Sequence, residues 1–452
     1  MTPADVAQRA LTRARAAGAD AADAVLVEGD SLEARVRGDD IDFVKQAHER
    51  KLGIRALVRG RGGMRTAITS TSDFSAAAVD RLAEETVALA RQTAEDAVAG
   101  LPQEAFADDW RGLDLGLAPP EDRDVSVEAR IQDARRAERA ARERDPRIQN
   151  SEGSQVGSES HHVVYANSLG FVGEYDGTSH SLFAEPIARA NGSMQRDYWM
   201  TVGRSLAQLE DPAEVGRRAA DRALRRLGAR RVATCEVPVI FDALTAPSLL
   251  RQLAGCVSGY AIYRRSSFLA GRLGEAIASP LVSAIDDGRL PGGLGTRPFD
   301  GEGLPTRRTP LLERGRLVSW LLDSYSGRKL SLASTSNASR SAGSAPGVSP
   351  TNLWIEPGQR TLDEIVADTP RGLLVTELIG MGFNPVTGDY SRGAAGLWIE
   401  GGEIAFPVEE ITIAGNLAAM LGCVDAVGSE LVWLSRVASP PLRVARMTVA
   451  GA

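Results

Sequence analysis

Histidine and cysteine are scarce in this 452-residue chain: four of the first (His48, His161, His162, His180) and three of the second (Cys235, Cys256, Cys423). An odd set of widely spaced cysteines excludes a disulfide framework and fits a reducing compartment better than a secreted one. A zinc site needs three or four ligands from His, Cys and carboxylates, often two of them on one helix. His161 and His162 are adjacent in a stretch that reads as a strand, so they point to opposite faces and do not readily share one ion. No run reaches about 18 uninterrupted apolar residues, which argues against a membrane span. The opening MTPADVAQRALTRARAAGAD is an Ala/Arg-rich helix without the apolar run of a secretion signal. Together these absences predict a cytosolic protein. A G-x-S-x-G serine is also missing, and the GRGG of residues 60–63 sits between two strand patterns, as a hairpin turn does and a phosphate loop does not.

What is present is ordinary for a globular protein: 43% apolar and 25% charged residues, with a net charge of −7 that argues against broad nucleic-acid binding. Residues 3–17 read as a helix, then short alternating runs (AVLVEG, LEARVRG, IDFVKQA, LGIRALVRG, MRTAITST) separated by Gly- or Asp-bearing turns, then a helix over 74–97. After a polar, Pro-containing stretch the order repeats: a charged helix over 124–144, strands over 148–207, a helix over 211–227. From about 233 the chain turns Gly-, Pro- and Asp-rich with many short strands. The expectation is an α+β fold. Two helix–antiparallel-meander–helix units (1–100 and 124–230, with a linker at 101–123) precede a β-rich C-terminal domain over 231–452. The small-residue segment STSNASRSAGSAPGVSPTN, 334–352, reads as a mobile surface loop.

The arginine-dense stretches 135–145 and 216–231 read as solvated helix faces, with an acidic-partner patch as the alternative. LTAPSLLRQLAGCVSG, 244–259, reads as a helix with Thr245 at its cap and an apolar stripe of Leu249, Leu250, Leu253, Ala254 and Val257. Arg251, Gln252 and Gly255 lie opposite, and Cys256 at the border. As a lone thiol without a nearby histidine, Cys256 is better read as a small core residue than as a nucleophile.

Several phrases occur in order: FLAGRLGE (268–275), FDGEGLPTRRTPLLERGRLVSWLLDSYSGRKL (299–330), TNLWIEPG (351–358), LLVTELIGMGFNPVTGDYSRGAAGLWIEGGEI (373–404) and FPVEEITIAGNL (406–417). Together they resemble the TldD/PmbA family, and within it the PmbA arm, also called TldE. The similarity is strongest over 233–452. The resemblance implies a cytosolic proteolytic complex of two homologous subunits that trims leader peptides or degrades unfolded polypeptides. One subunit carries zinc on a HExxxH helix with a further cysteine ligand; the PmbA-like one lacks both.

Placed by FLAGRLGE downstream, the HExxxH positions here read Arg251, Gln252, Leu253, Ala254, Gly255, Cys256. A guanidinium donates no lone pair to a metal, and the amide of Gln252 cannot take a proton from water as a glutamate would. With both histidines gone, a regular helix is expected, since residues five apart point about 140° apart unless the helix deforms. The resemblance therefore implies no metal or cofactor in this chain. It also implies zinc in a TldD-like partner, forming a heterodimer (or a homodimer of this chain), and an extended peptide as substrate. Asp389, Ser391 and Arg392, in a loop with turn-forming Gly388, Gly393 and Gly396, are candidate peptide or partner contacts. So is a polar cluster of Asp300, Glu302, Arg307 and Arg308. The other reading is a stand-alone homodimeric regulator of a toxin–antitoxin or DNA gyrase system.

Overall fold

The computed structural model describes residues 1–122 and 125–451, so the expected boundary at 123/124 lies outside the described residues. Its N-terminal part contains α1 (Pro3–Ala16), β1 (Ala21–Arg37), β2 (Asp40–Arg59), β3 (Met64–Thr71), α2 (Ala76–Ala90) and β4 (Glu95–Asp96). The second part contains α3 (Val127–Glu143), β5 (Ile148–Asn167), β6 (Val172–Ala190), β7 (Ser193–Arg196), β8 (Trp199–Gly203) and α4 (Pro212–Leu224). The helices start as the sequence suggests. Thr2, Ser75, Ser126 and Asp211 each accept a backbone N–H at a helix N-terminus, and Pro3 and Pro212 occupy first-turn positions.

The strands of both parts join one antiparallel sheet in the order β4-β3-β2-β1-β5-β6-β7, with β8 also on β6. The seam is β1 against β5, in register from Asp23 opposite Asn167 to Val36 opposite Ser154. Where the alternating runs suggest turns near Gly29 and Gly53, β1 and β2 pass straight through. The reason is steric. A Cβ at Gly29 would stand 2.3 Å from the Ser160 carbonyl oxygen, and one at Gly53 would stand 1.4 Å from that of Ala342. These glycines serve close backbone approach, not reversal. The GRGG stretch does form the β2–β3 turn, with Gly60 N donating to Gly63 O.

Period-two alternation divides the faces of β1. Even positions (Ala22, Ala24, Leu26, Ala34, Val36) pack under the four helices, α1 and α2 at one end, α3 and α4 at the other. The odd positions Asp23 and Val25 face the C-terminal domain, where Val25 meets Tyr165, Phe171, Phe299 and Ala342.

In that domain, β9 (Cys235–Phe241) lies between Arg371–Ile379, to which it is parallel, and Leu442–Ala450. The sheet continues through Asp389–Glu400 to Glu403–Asn416, whose Thr412–Ala414 pairs with Thr448–Ala450 and closes a five-strand ring. A second sheet of short strands packs beside it, and α5 (Ala246–Cys256) fits between them. The fold is thus α+β with a β-rich C-terminal part.

Residues 334–352 do not form a mobile surface loop. Ser334, Ser336, Asn337, Ala338, Ala342 and Pro346 are buried. Small side chains let this segment lie against the long sheet, where buried carboxylates meet its polar groups. Asp286 accepts from Asn337 Nδ2 (2.6 Å) and Thr351 N (2.7 Å), and Asp300 accepts from Ala338 N (3.1 Å). Arg340 reaches across to Asp23 (2.5 Å), which its cross-strand neighbour Arg55 also grips. Asp23 is fully buried, and the two guanidinium groups hold its carboxyl below the usual range against the opposing effect of burial.

Removing a buried charge's partner leaves an uncompensated ion. Asp23→Asn is therefore expected to lower unfolding free energy by about 3–5 kcal/mol in urea denaturation. A change within experimental error would show that Asp23 does not fasten the two parts together.

Candidate functional site

The site begins with how α5 starts. Thr245 holds the cap position, but its side chain makes no capping bond; Asp242, three residues upstream, does that work. Its carboxylate accepts from Leu244 N (3.0 Å) and Thr245 N (2.9 Å), and its carbonyl from Ala246 N (2.9 Å). The Thr245 hydroxyl lies 3.1 Å from the Val375 carbonyl, which ties the turn to the barrel. From there α5 runs as an unbroken α-helix to Cys256, without the deformation a HExxxH pair requires.

Leu249, Leu250, Leu253 and Cys256 are at most 1% exposed. Cys256 is inside the apolar stripe and not at its border, because seven residues on from Leu249 it returns to within roughly 20° of it. Burial pushes its thiol up to about 11, so it is neither a thiolate nucleophile nor an accessible ligand at neutral pH. Arg251 and Gly255 are exposed and Gln252 half-buried; Arg251 Nη2 donates to Ser435 Oγ (3.2 Å).

The other candidates divide. Asp300 and Glu302 are 2% and 0% exposed, whereas Arg307 and Arg308 face solvent, so the four do not form one surface cluster. Asp300 turns back on its own loop, accepting from Glu302 N (2.9 Å) and Leu304 N (3.0 Å). Glu302 accepts from Ser324 N (2.8 Å), and its other oxygen has no partner. Arg307 reaches the Ser334 carbonyl; Arg308 faces Glu356 at 3.8 Å. Asp389, Ser391 and Arg392 lie on a strand and not in a loop. Gly396 permits close strand pairing, since a Cβ there would sit 2.1 Å from Leu374 O. Alternation turns Asp389 and Ser391 outward, with Asp389 held by Thr387 (2.6 Å), and turns Arg392 inward beside buried Tyr390. Arg392 and Arg251 thereby line one cavity of about 360 Å³, which also touches Ser248, Tyr198, Thr376 and Glu377. Sequence spacing did not reveal that these two arginines line one cavity; the inward parity of Arg392 next to Tyr390 was the available signal.

The histidines are dispersed. His162 bonds Asp176 (2.7 Å), His48 bonds Asp30 (2.9 Å), and His180 bonds Ser158 (3.0 Å) inside the sheet. Among the described residues, no three His, Cys, Asp or Glu side chains are gathered as a metal-holding group. A catalytic zinc of the kind the HExxxH arm uses does not fit the residues at α5. No helix among the described residues is long and apolar enough to cross a membrane.

The chain so built, a long helix-backed antiparallel sheet laid on a closed β-ring, matches three domains of a metallopeptidase family. PmbA/TldA metallopeptidase domain 1 matches residues 22–90, the central domain 120–227 and the C-terminal domain 234–451. The chain belongs to the PmbA/TldD family. It is 37% identical over 434 residues to the metalloprotease PmbA of Escherichia coli O157:H7, covering 96% of this chain and 92% of that one. It is 35% identical to the Haemophilus influenzae homologue, over 98% and 94%. A Bacteroides thetaiotaomicron crystal structure, described as a candidate modulator of DNA gyrase, superposes with a TM-score of 0.91 at 26% identity, over 99% and 98% of the chains. TldE of Thermococcus kodakarensis shares the fold, with a TM-score of 0.89 at 22% identity over 99% and 100%.

Burial raises the carboxyls of Asp300 and Glu302 above the usual range, and the charge of Asp300 raises Glu302 further; Asp286 is pushed up to about 6. A carboxyl raised on folding binds its proton more tightly in the native state. Its stabilisation is full below pH about 4 and is lost as pH rises through the raised value. Glu302→Gln removes one such group. Between pH about 4.5 and 7.5 the wild-type chain should lose on the order of 1 kcal/mol more unfolding free energy than the variant. Parallel curves would contradict the assignment.

Proposed function

We propose that this chain is the non-catalytic subunit of a two-subunit cytosolic metallopeptidase. It encloses the zinc site of a HExxxH-bearing relative and helps hold an extended leader peptide or unfolded polypeptide. The observation that carries this reading is α5. At the six positions of the zinc helix it offers a guanidinium, an amide and a core-buried thiol, a set that neither ligates Zn²⁺ nor deprotonates water. The relatives are named metalloproteases; in the proposed assembly the partner holds the catalytic metal. A second observation supports polypeptide binding. β3 pairs with β2 only over Leu52–Arg59, and no described strand pairs with Asp40–Arg50 on the side away from β1. Such an edge recognises an extended chain through its backbone, with little regard to sequence.

A stand-alone homodimeric regulator docking through its arginine-rich helices has less support. Arg136 pairs with Asp211, Arg144 with Asp221 and Arg217 with Glu214, which neutralises much of that surface.

Expressed with a HExxxH-bearing family member, this chain is expected to copurify with it, and peptidase activity on an unfolded polypeptide should require both. This chain by itself should show none. Activity of this chain alone, or full activity of the other without it, would overturn the reading.

A further inference from the structure

The geometry points to a carboxylate-binding site in the cavity between α5 and the barrel, built on Arg251 and Arg392, which takes a carboxylate of a bound polypeptide. The inference deepens the proposal that the chain holds a polypeptide, and rests on it.

Four guanidinium groups line this cavity, those of Arg196, Arg226, Arg251 and Arg392. Two are committed to carboxylates: Arg196 to Glu185 (3.0 Å) and Arg226 to Glu377 (2.6 Å). Among the described residues, Arg251 and Arg392 have no carboxylate partner. Arg251 donates to the neutral Ser435 hydroxyl, and Arg392 Nε is buried without a hydrogen-bond partner. Two unmatched cations facing one space favour an anion there, and guanidinium forks match a carboxylate's two oxygens.

The surroundings are polar and unsatisfied. Thr376, 5% exposed, lines the cavity with a hydroxyl that has no partner. Ser248 Oγ lies one turn before Arg251 on the same helix face, and Ser248 and Arg392 both neighbour the buried hydroxyl of Tyr390. A buried hydroxyl is normally satisfied, so that of Thr376 marks a place where something else supplies the bond. A carboxylate in the cavity accepts from the Thr376 hydroxyl and from the two guanidinium groups.

Charge favours a monoanion. The same wall carries Glu185, Asp197 and Glu377, which would repel a doubly charged phosphate more strongly than a carboxylate. Tyr198, 37% exposed, lines the cavity with Leu244 and Leu378, an apolar ledge for the side chain next to the bound group. The carboxylate is either the C-terminus of a peptide or an Asp or Glu side chain within it.

The test uses the full chain and one fluorescent, otherwise non-acidic peptide in three forms: free C-terminal acid, C-terminal amide, and C-terminal amide with one internal glutamate. Affinity is read by anisotropy at low salt. At least one carboxylate-bearing form should bind about tenfold more tightly than the plain amide. Whichever form gains identifies the source. Arg251→Gln and Arg392→Gln should each abolish the gain while the weaker affinity for the plain amide persists. Arg251→Lys should keep part of the gain, and Arg81→Gln, on α2, all of it. Unchanged melting temperatures establish that the variants fold. Equal binding of all three forms, or a gain that survives both glutamine variants, overturns the carboxylate site and leaves the polypeptide-holding reading intact. Failure of every form to bind overturns both.

Discussion

One buried carboxylate ties the long sheet to the C-terminal domain. Asp23 sits on the face of the long sheet that meets the C-terminal domain, gripped by Arg55 from the adjacent strand and Arg340 from the segment after the short strands. Tyr165 lies 3.5 Å from the same carboxylate. Burying three charges is costly, and an apolar substitute could be as stable, yet with the charges in place each needs the others. The same segment, 334–352, also gives Asp286 the Asn337 side-chain amide, and Asp300 the Ala338 N–H; Thr351 N donates to Asp286 as well.

That fixed scaffold holds α5 against the barrel with its apolar stripe spent on the core. What remains outward is decided by residue type. A histidine pair with an intervening glutamate would make this surface a cation site. Arginine, glutamine and a buried thiol make it the reverse, a surface whose unmatched charge is positive. On the proposed reading, the same helix position serves opposite chemistry in two related subunits, metal binding in one and polypeptide holding in the other.

Much of this was legible in the sequence. The alternation of AVLVEG and LEARVRG identified strand, and helix starts fell within a few residues of the observed ones because caps such as Ser75 and Asp211 are local signals, whereas the helix expected to run to 97 ends at Ala90 and gives way to β4. The inward position of Cys256 was also available, since seven residues from Leu249 is nearly two full turns. Other features were hidden because they depend on distant chain. Gly29 and Gly53 look like turns until Ser160 and Ala342 arrive at van der Waals distance. A run of serines, glycines and alanines looks mobile until Asp286, Asp300 and Asp23 bind it. Asp300 and Glu302 look like surface charges beside Arg307 and Arg308, yet tertiary burial separates them. Arg251 and Arg392 are 141 positions apart, and only the strand parity after Tyr390 hints that the second faces the first.

The central claim is that this polypeptide cannot assemble a catalytic zinc site from its own side chains. Zinc per chain, measured by mass spectrometry on the purified single subunit after equilibration with the metal and removal of the unbound ion, tests it most directly. The account predicts far less than one zinc per chain, with no further drop when Cys256 is replaced by alanine. One tightly held zinc per chain, ligated entirely by this subunit, would contradict it.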